Sequence, residues 1–125
     1  MPNKRPFFLN LFAIRLPVGG YASILHRVSG ALLSLAIPGL LYALSRSLHS
    51  AEDFHAITAW FSGPLGWLIA TALTWAILHH FFAGLRHLGF DLGWGESREC
   101  SRLTAWASLG LAAGLTAVIA IWRLL

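Results

Sequence analysis

The chain has 125 residues, 57% hydrophobic and 11% charged, with a mean hydropathy of +0.66 and a net charge of +4. A soluble domain of this length carries about a quarter charged residues. Here the apolar residues come in long blocks, which excludes an ordinary soluble core and points to one compact membrane bundle.

The basic balance does not indicate nucleic acid, because the positive charges flank the apolar blocks and read as topology signals. Lys4 and Arg5 are not closely followed by an apolar run with a small-residue cleavage site, so neither a secretory signal nor a transit peptide is expected. Residues 1–20 form a mixed arm in which Pro6, Pro17, Gly19 and Gly20 limit any helix to a short piece. Leu9, Phe12, Ala13 and Leu16 make a weak apolar stripe, which suits either a membrane surface or a partner.

A first span is expected over about 21–48, with Pro38 inside it as membrane helices tolerate. Arg46, His49, Glu52, Asp53 and His55 form a polar connection. A second span is expected over about 57–89, with a possible break at Gly63-Pro64, and a third over about 103–122. Each run is long enough to cross a hydrocarbon layer of roughly 30 Å at about 1.5 Å per residue. Three spans put the N-terminal arm and the polar 91–102 loop on one side. That side holds Lys4, Arg5, Arg15, Arg27, Arg86, Arg98 and Arg102; the other holds Arg46 and Arg123, which completes all nine Lys and Arg. The positive-inside rule then places the N-terminus in the cytoplasm. Cys100, the single cysteine, lies in the charged linker; it cannot form an intrachain disulfide and is expected to have no role.

The chemistry-bearing residues cluster at the cytoplasmic ends of the first two spans. His80, Gly84 and His87 are spaced i, i+4, i+7 and share one helical stripe. An imidazole in a bilayer is costly unless something uses it, and a neutral histidine is a good axial ligand for haem iron. His80 is therefore a candidate ligand of a b-type haem; a histidine bonded across helices is the alternative. His80 should lie about 10 Å deeper than His87. A haem on His80 would turn its propionates toward His87, His26 and Arg27. Gly84 leaves room for a flat ring or a close helix.

In the first span, Ser23-Ile24-Leu25-His26-Arg27-Val28-Ser29-Gly30 places a hydroxyl, an imidazole and a guanidinium together at the water–lipid boundary. Such a cluster can bind a quinone carbonyl or simply anchor the helix to headgroups. A six-coordinate haem needs a second ligand. The third span has neither histidine nor methionine, His26 is expected level with His87, and His79 points about 100° away from His80. The other ligand is thus expected from a second membrane chain; His79 as ligand, with His80 packing, is the alternative register.

Two motifs carry a resemblance: Arg5-Pro6 followed at a distance by Ser23-x-x-His26-Arg27-x-Ser29, and His80-x-x-x-Gly84-Leu85-Arg86-His87-Leu88-x-Phe90-Asp91-x-Gly93. With the three spans, they resemble the cytochrome b membrane-anchor subunits of succinate dehydrogenase (respiratory complex II). The resemblance implies an all-α membrane protein: three transmembrane helices, a short cytoplasmic arm, and half of a bundle that a smaller hydrophobic anchor subunit completes. It implies haem b on His80 with the second histidine from that partner, and a ubiquinone site using Ser23 and Arg27. His26 and Arg27 would lie near the propionates; the part played by His87 is less defined. An iron–sulfur subunit and a flavoprotein subunit would dock on the cytoplasmic side, so the chain would not oxidise succinate itself. A bacterial inner membrane is the implied location. Bulky Phe7-Phe8 and the extra imidazole of His79 depart mildly from the usual pattern. The rivals are a fumarate reductase-type anchor and a small transport or assembly protein whose histidines form a proton or metal path.

Overall fold

The computed structural model describes residues 16–125. Residues 1–15 of the expected N-terminal arm, including Lys4, Arg5 and Arg15, therefore lie outside the described residues, while its end, Val18 to Gly20, already belongs to the first helix. Four helices follow in order: α1 (Val18–Ser47), α2 (Ala51–Ser62), α3 (Pro64–Asp91) and α4 (Arg98–Trp122). No strand occurs among the described residues. α1, α3 and α4 are long and apolar enough to cross a membrane. α3 packs against both other long helices, and α1 also meets α4.

The core is built from small residues. Ala22 and Ser29 of α1, Ala76 and Ala83 of α3, and Ala105, Ser108, Ala112 and Thr116 of α4 are buried. Large side chains such as Leu35, Leu41, Ile77, Phe81, Leu111 and Val118 point outward. This inverts the soluble arrangement. Between helices in lipid, close backbone approach gives the packing energy, while large apolar groups are as well solvated by acyl chains as by protein. The buried hydroxyls bond within their own helices, Ser108 to the Ala105 carbonyl at 2.9 Å and Thr116 to the Ala112 carbonyl at 2.7 Å.

The stretch 57–89 is not one helix. Residues 57–62 belong to α2, and α3 begins at Pro64. Ser50 caps α2 by accepting the Asp53 N–H at 3.0 Å, with Glu52 and Asp53 in the first turn where carboxylates are attracted to the positive end of the helix dipole. Gly63 is extended, and Pro64 occupies the first helical position, where its missing N–H costs nothing. A side chain on Gly66 would collide with the Trp60 carbonyl and the Phe61 backbone, so glycine allows the sharp return from α2 into α3. Arg46 pairs with Asp53, and Arg123 donates to the Phe61 carbonyl at 3.2 Å, so α2 is tied to the ends of α1 and α4.

At the other end, Gly93 and Gly95 both have φ of +76°, a left-handed conformation that suits glycine, and turn the chain toward Ser97. Ser97 caps α4 by accepting the Cys100 N–H at 3.3 Å, so this helix starts five residues before the expected Leu103. Arg86 joins α3 to α4. Its Nε donates to Thr104 Oγ1 at 3.2 Å and its Nη2 to Ser101 Oγ at 3.1 Å, while the guanidinium sits over the Phe90 ring at 4.5 Å.

Candidate functional site

The chemistry-bearing residues meet where α1 crosses α3. His80 projects from α3 toward α1. Its Nδ1 lies 3.1 Å from the His26 carbonyl oxygen and 3.2 Å from Ser29 Oγ. A carbonyl oxygen only accepts, so Nδ1 must carry the proton and donate. The neutral ring then keeps its lone pair on Nε2, the form in which histidine binds a metal. Gly30 makes the approach possible, since a Cβ there would stand 3.0 Å from His80 Cε1.

His26 stacks on His80, with ring centroids 4.2 Å apart and planes 15° apart. It also lies 5.1 Å from His87, whose ring meets Phe90 edge-on. The sequence-based expectation that His26 sits only at the level of His87 is corrected by this geometry. Ser29 is beside His80, and His26 is three residues, or about 4.5 Å, above Ser29 along α1. It therefore bridges the step between His80 and His87. A ring stacked parallel to His80 cannot also face iron from the opposite side of a haem bound to His80. Gly84 leaves room for α1: a Cβ on it would touch His26 Nε2 at 3.5 Å.

His79 points elsewhere. It is fully buried and stacks on Trp75, with centroids 5.2 Å apart and planes 5° apart. Neither ring nitrogen has a hydrogen-bond partner; the Ala22 carbonyl faces the ring without completing a bond. His79 has no exposed surface, whereas His80 is half-buried. His80 is thus the half-buried ring of the pair and carries its lone pair on Nε2.

Ser23 is half-buried and Arg27 exposed on α1, one turn apart, and neither makes a hydrogen bond with another described residue. Their polar groups remain available at the same end of the bundle as His26 and His87. His49 and His55 are exposed near the opposite ends of α1 and α3. Among the described residues, no group of three or more His, Cys, Asp or Glu could hold a metal ion. Two cavities lie away from His80: about 770 Å³ beside Gly19, Arg86 and Arg102, and about 440 Å³ of apolar space under α2. The residues singled out earlier as Ser29, Arg86 and Gly30 were visible only as motif letters; their structural parts depend on which helix faces them.

The family model for the succinate dehydrogenase/fumarate reductase transmembrane subunit matches residues 1–120. The chain belongs to this family. It is 39% identical over 108 residues to the succinate dehydrogenase cytochrome b556 subunit of Coxiella burnetii, covering 85% of this chain and 86% of that one. It is 33% identical over 96 residues to the cytochrome b556 subunit of Paracoccus denitrificans, covering 77% and 74%. It is 34% identical over 114 residues to the cytochrome b560 subunit of Reclinomonas americana, covering 87% and 79%. The three long helices and the membrane-facing exterior are what a transmembrane subunit requires.

Proposed function

We propose that this chain is the cytochrome b anchor of a succinate dehydrogenase, holding one side of a haem b and part of a ubiquinone-reduction site. The observation that carries the reading is the His80 Nδ1–H donated to the His26 carbonyl, which leaves the Nε2 lone pair available on the half-buried ring. Haem b, when bound, supplies reversible one-electron storage within the bilayer. His80 is the iron ligand from this chain; His26, His87 and Arg27 are the partners of the propionates on the cytoplasmic side. Ser23 donates to a ubiquinone carbonyl and Arg27 holds the negative charge that the carbonyl gains on reduction. That charge is stabilised more at a poorly hydrated site than in water.

The chain is not an enzyme alone. A second hydrophobic anchor supplies the other haem ligand and covers the half-buried side of His80. An iron–sulfur subunit and a flavoprotein subunit dock on the cytoplasmic face. The seven-to-two distribution of Lys and Arg supports a cytoplasmic N-terminus, and the setting is a bacterial inner membrane. Relatives that carry the succinate dehydrogenase name favour that direction over fumarate reduction.

The test uses the complex in membranes. His80→Ala is expected to abolish the low-spin haem b band in a reduced-minus-oxidised spectrum. Ser23→Ala and Arg27→Ala are expected to lose about tenfold or more of succinate–quinone activity, while succinate oxidation by an artificial dye persists. Equal loss of both activities would contradict the quinone assignment, and an unchanged haem band in His80→Ala would contradict the ligand assignment.

A further inference from the structure

We infer that Ser29 is a positioning residue that fixes the protonation and electron donation of the His80 imidazole through a three-centre hydrogen bond. The inference rests on His80 being the iron ligand. Ser29 is fully buried. Its hydroxyl donates to the His26 carbonyl at 2.8 Å. With its only hydrogen used there, Oγ turns a lone pair to His80 Nδ1 at 3.2 Å. The same Nδ1–H reaches the His26 carbonyl at 3.1 Å. Both contacts of Nδ1 are therefore acceptors.

The alternative tautomer is excluded by the same arrangement. A hydroxyl that donated to Nδ1 would place the proton on Nε2 and block metal binding. Ser29 cannot do so while its hydrogen is held by the carbonyl three residues earlier. Serine and threonine commonly bond back into their own helix in membranes, and Ser108 and Thr116 do only that. Ser29 differs in that its oxygen also meets an imidazole from another helix. Acceptors on the distal N–H make an imidazole a stronger donor to a metal and favour its higher oxidation state. Gly30, one residue on, sets how closely the ring can lie.

The experiment is a redox titration of the haem, with low-temperature electron paramagnetic resonance of its ferric form, in the whole complex carrying Ser29→Ala, Ser29→Thr or His80→Ala. Ser29→Ala is expected to keep the haem and shift it toward the reduced form. The reduced-to-oxidised ratio at fixed potential should rise by about threefold to tenfold, tenfold being about 59 mV for one electron. The ferric g-values should move as well. Ser29→Thr, which keeps a hydroxyl, should restore both. A Ser29→Ala complex with unchanged potential and g-values overturns the inference; if His80→Ala abolishes the haem in the same series, the ligand assignment survives that failure. Haem retained in His80→Ala overturns the ligand assignment itself. Should Ser29→Ala fail to assemble, a normal potential in Ser29→Gly overturns the inference and a raised one supports it.

Discussion

A carbon atom added at Gly30 would stand 3.0 Å from Cε1 of His80. The imidazole cannot retreat freely, because Nδ1 is bonded to the His26 carbonyl and one face is stacked on the His26 ring. Gly30→Ala is therefore expected to displace the ring by a few tenths of an ångström and weaken haem retention. Haem-to-flavin stoichiometry in the purified complex should fall below that of the unaltered protein; full occupancy with an unchanged spectrum would show that the contact does not matter. His79 gives a second prediction at this scale. Both of its nitrogens are buried without partners, and each such group costs roughly 1–3 kcal/mol. His79→Phe keeps the stack on Trp75 and removes the unpaired nitrogens, so thermal melting in detergent should rise. His79→Ala should lower stability by about 3 kcal/mol through the cavity it opens. Neither change is expected to abolish the haem band.

The adjacent histidines also show where the sequence is informative. Their 100° separation and the spacing of His80, Gly84 and His87 were readable from helix geometry alone. That His26 reaches His80 was not. Depth along two antiparallel helices is fixed by how they slide against each other, and the small contact residues Gly30 and Gly84 set that offset. Ser29 was likewise only a letter in a motif, since a hydroxyl one hydrogen bond from the proposed iron ligand is invisible until the opposing helix is in place.

Among the elements, α2 was the least legible. Residues 57–62 are uncharged and mostly apolar, and merge in sequence with the following span. Yet the signals for a separate helix were present: Ser50 with Asp53 three residues later at its start, and Gly63-Pro64 at its end. The Gly63-Pro64 break was legible, but the apolar side chains of α2 made the residues before it look like part of the following span. The junction supplies a prediction. Gly66→Ala would drive a Cβ into the Trp60 carbonyl, and backbone cannot move aside as a side chain can. The change should cost about 3 kcal/mol, seen as a lower melting temperature and reduced assembly into membranes. Asp53→Ala, which removes the ion pair to Arg46 and one first-turn carboxylate of α2, should cost about 1 kcal/mol. At the other end, Arg86 ties α3 to α4 through Thr104 and Ser101. Arg86→Met should loosen that joint by about 1–3 kcal/mol and make the α4 start more susceptible to proteolysis, a loss that Arg86→Lys only partly repairs because one ammonium cannot reproduce the fork.

For the whole molecule, the outward display of leucine, isoleucine, valine and tryptophan explains why three spans were plain from composition, while the bundle's partner face was not. Lipid and a neighbouring helix ask for similar surfaces, so the proposed second anchor is assigned to the side of the half-buried His80 by its chemistry and not by the apolar exterior. The chain expressed without a second anchor should therefore enter membranes yet show no six-coordinate haem spectrum, and co-expression of that anchor should restore it. The most direct measurement is the structure of the assembled complex with its prosthetic group bound. Iron bonded to His80 Nε2, with Nδ1 still donating to α1 and a partner histidine opposite, is the expected result. Iron bonded to His79, or His80 Nε2 engaged only with protein, would contradict the assignment.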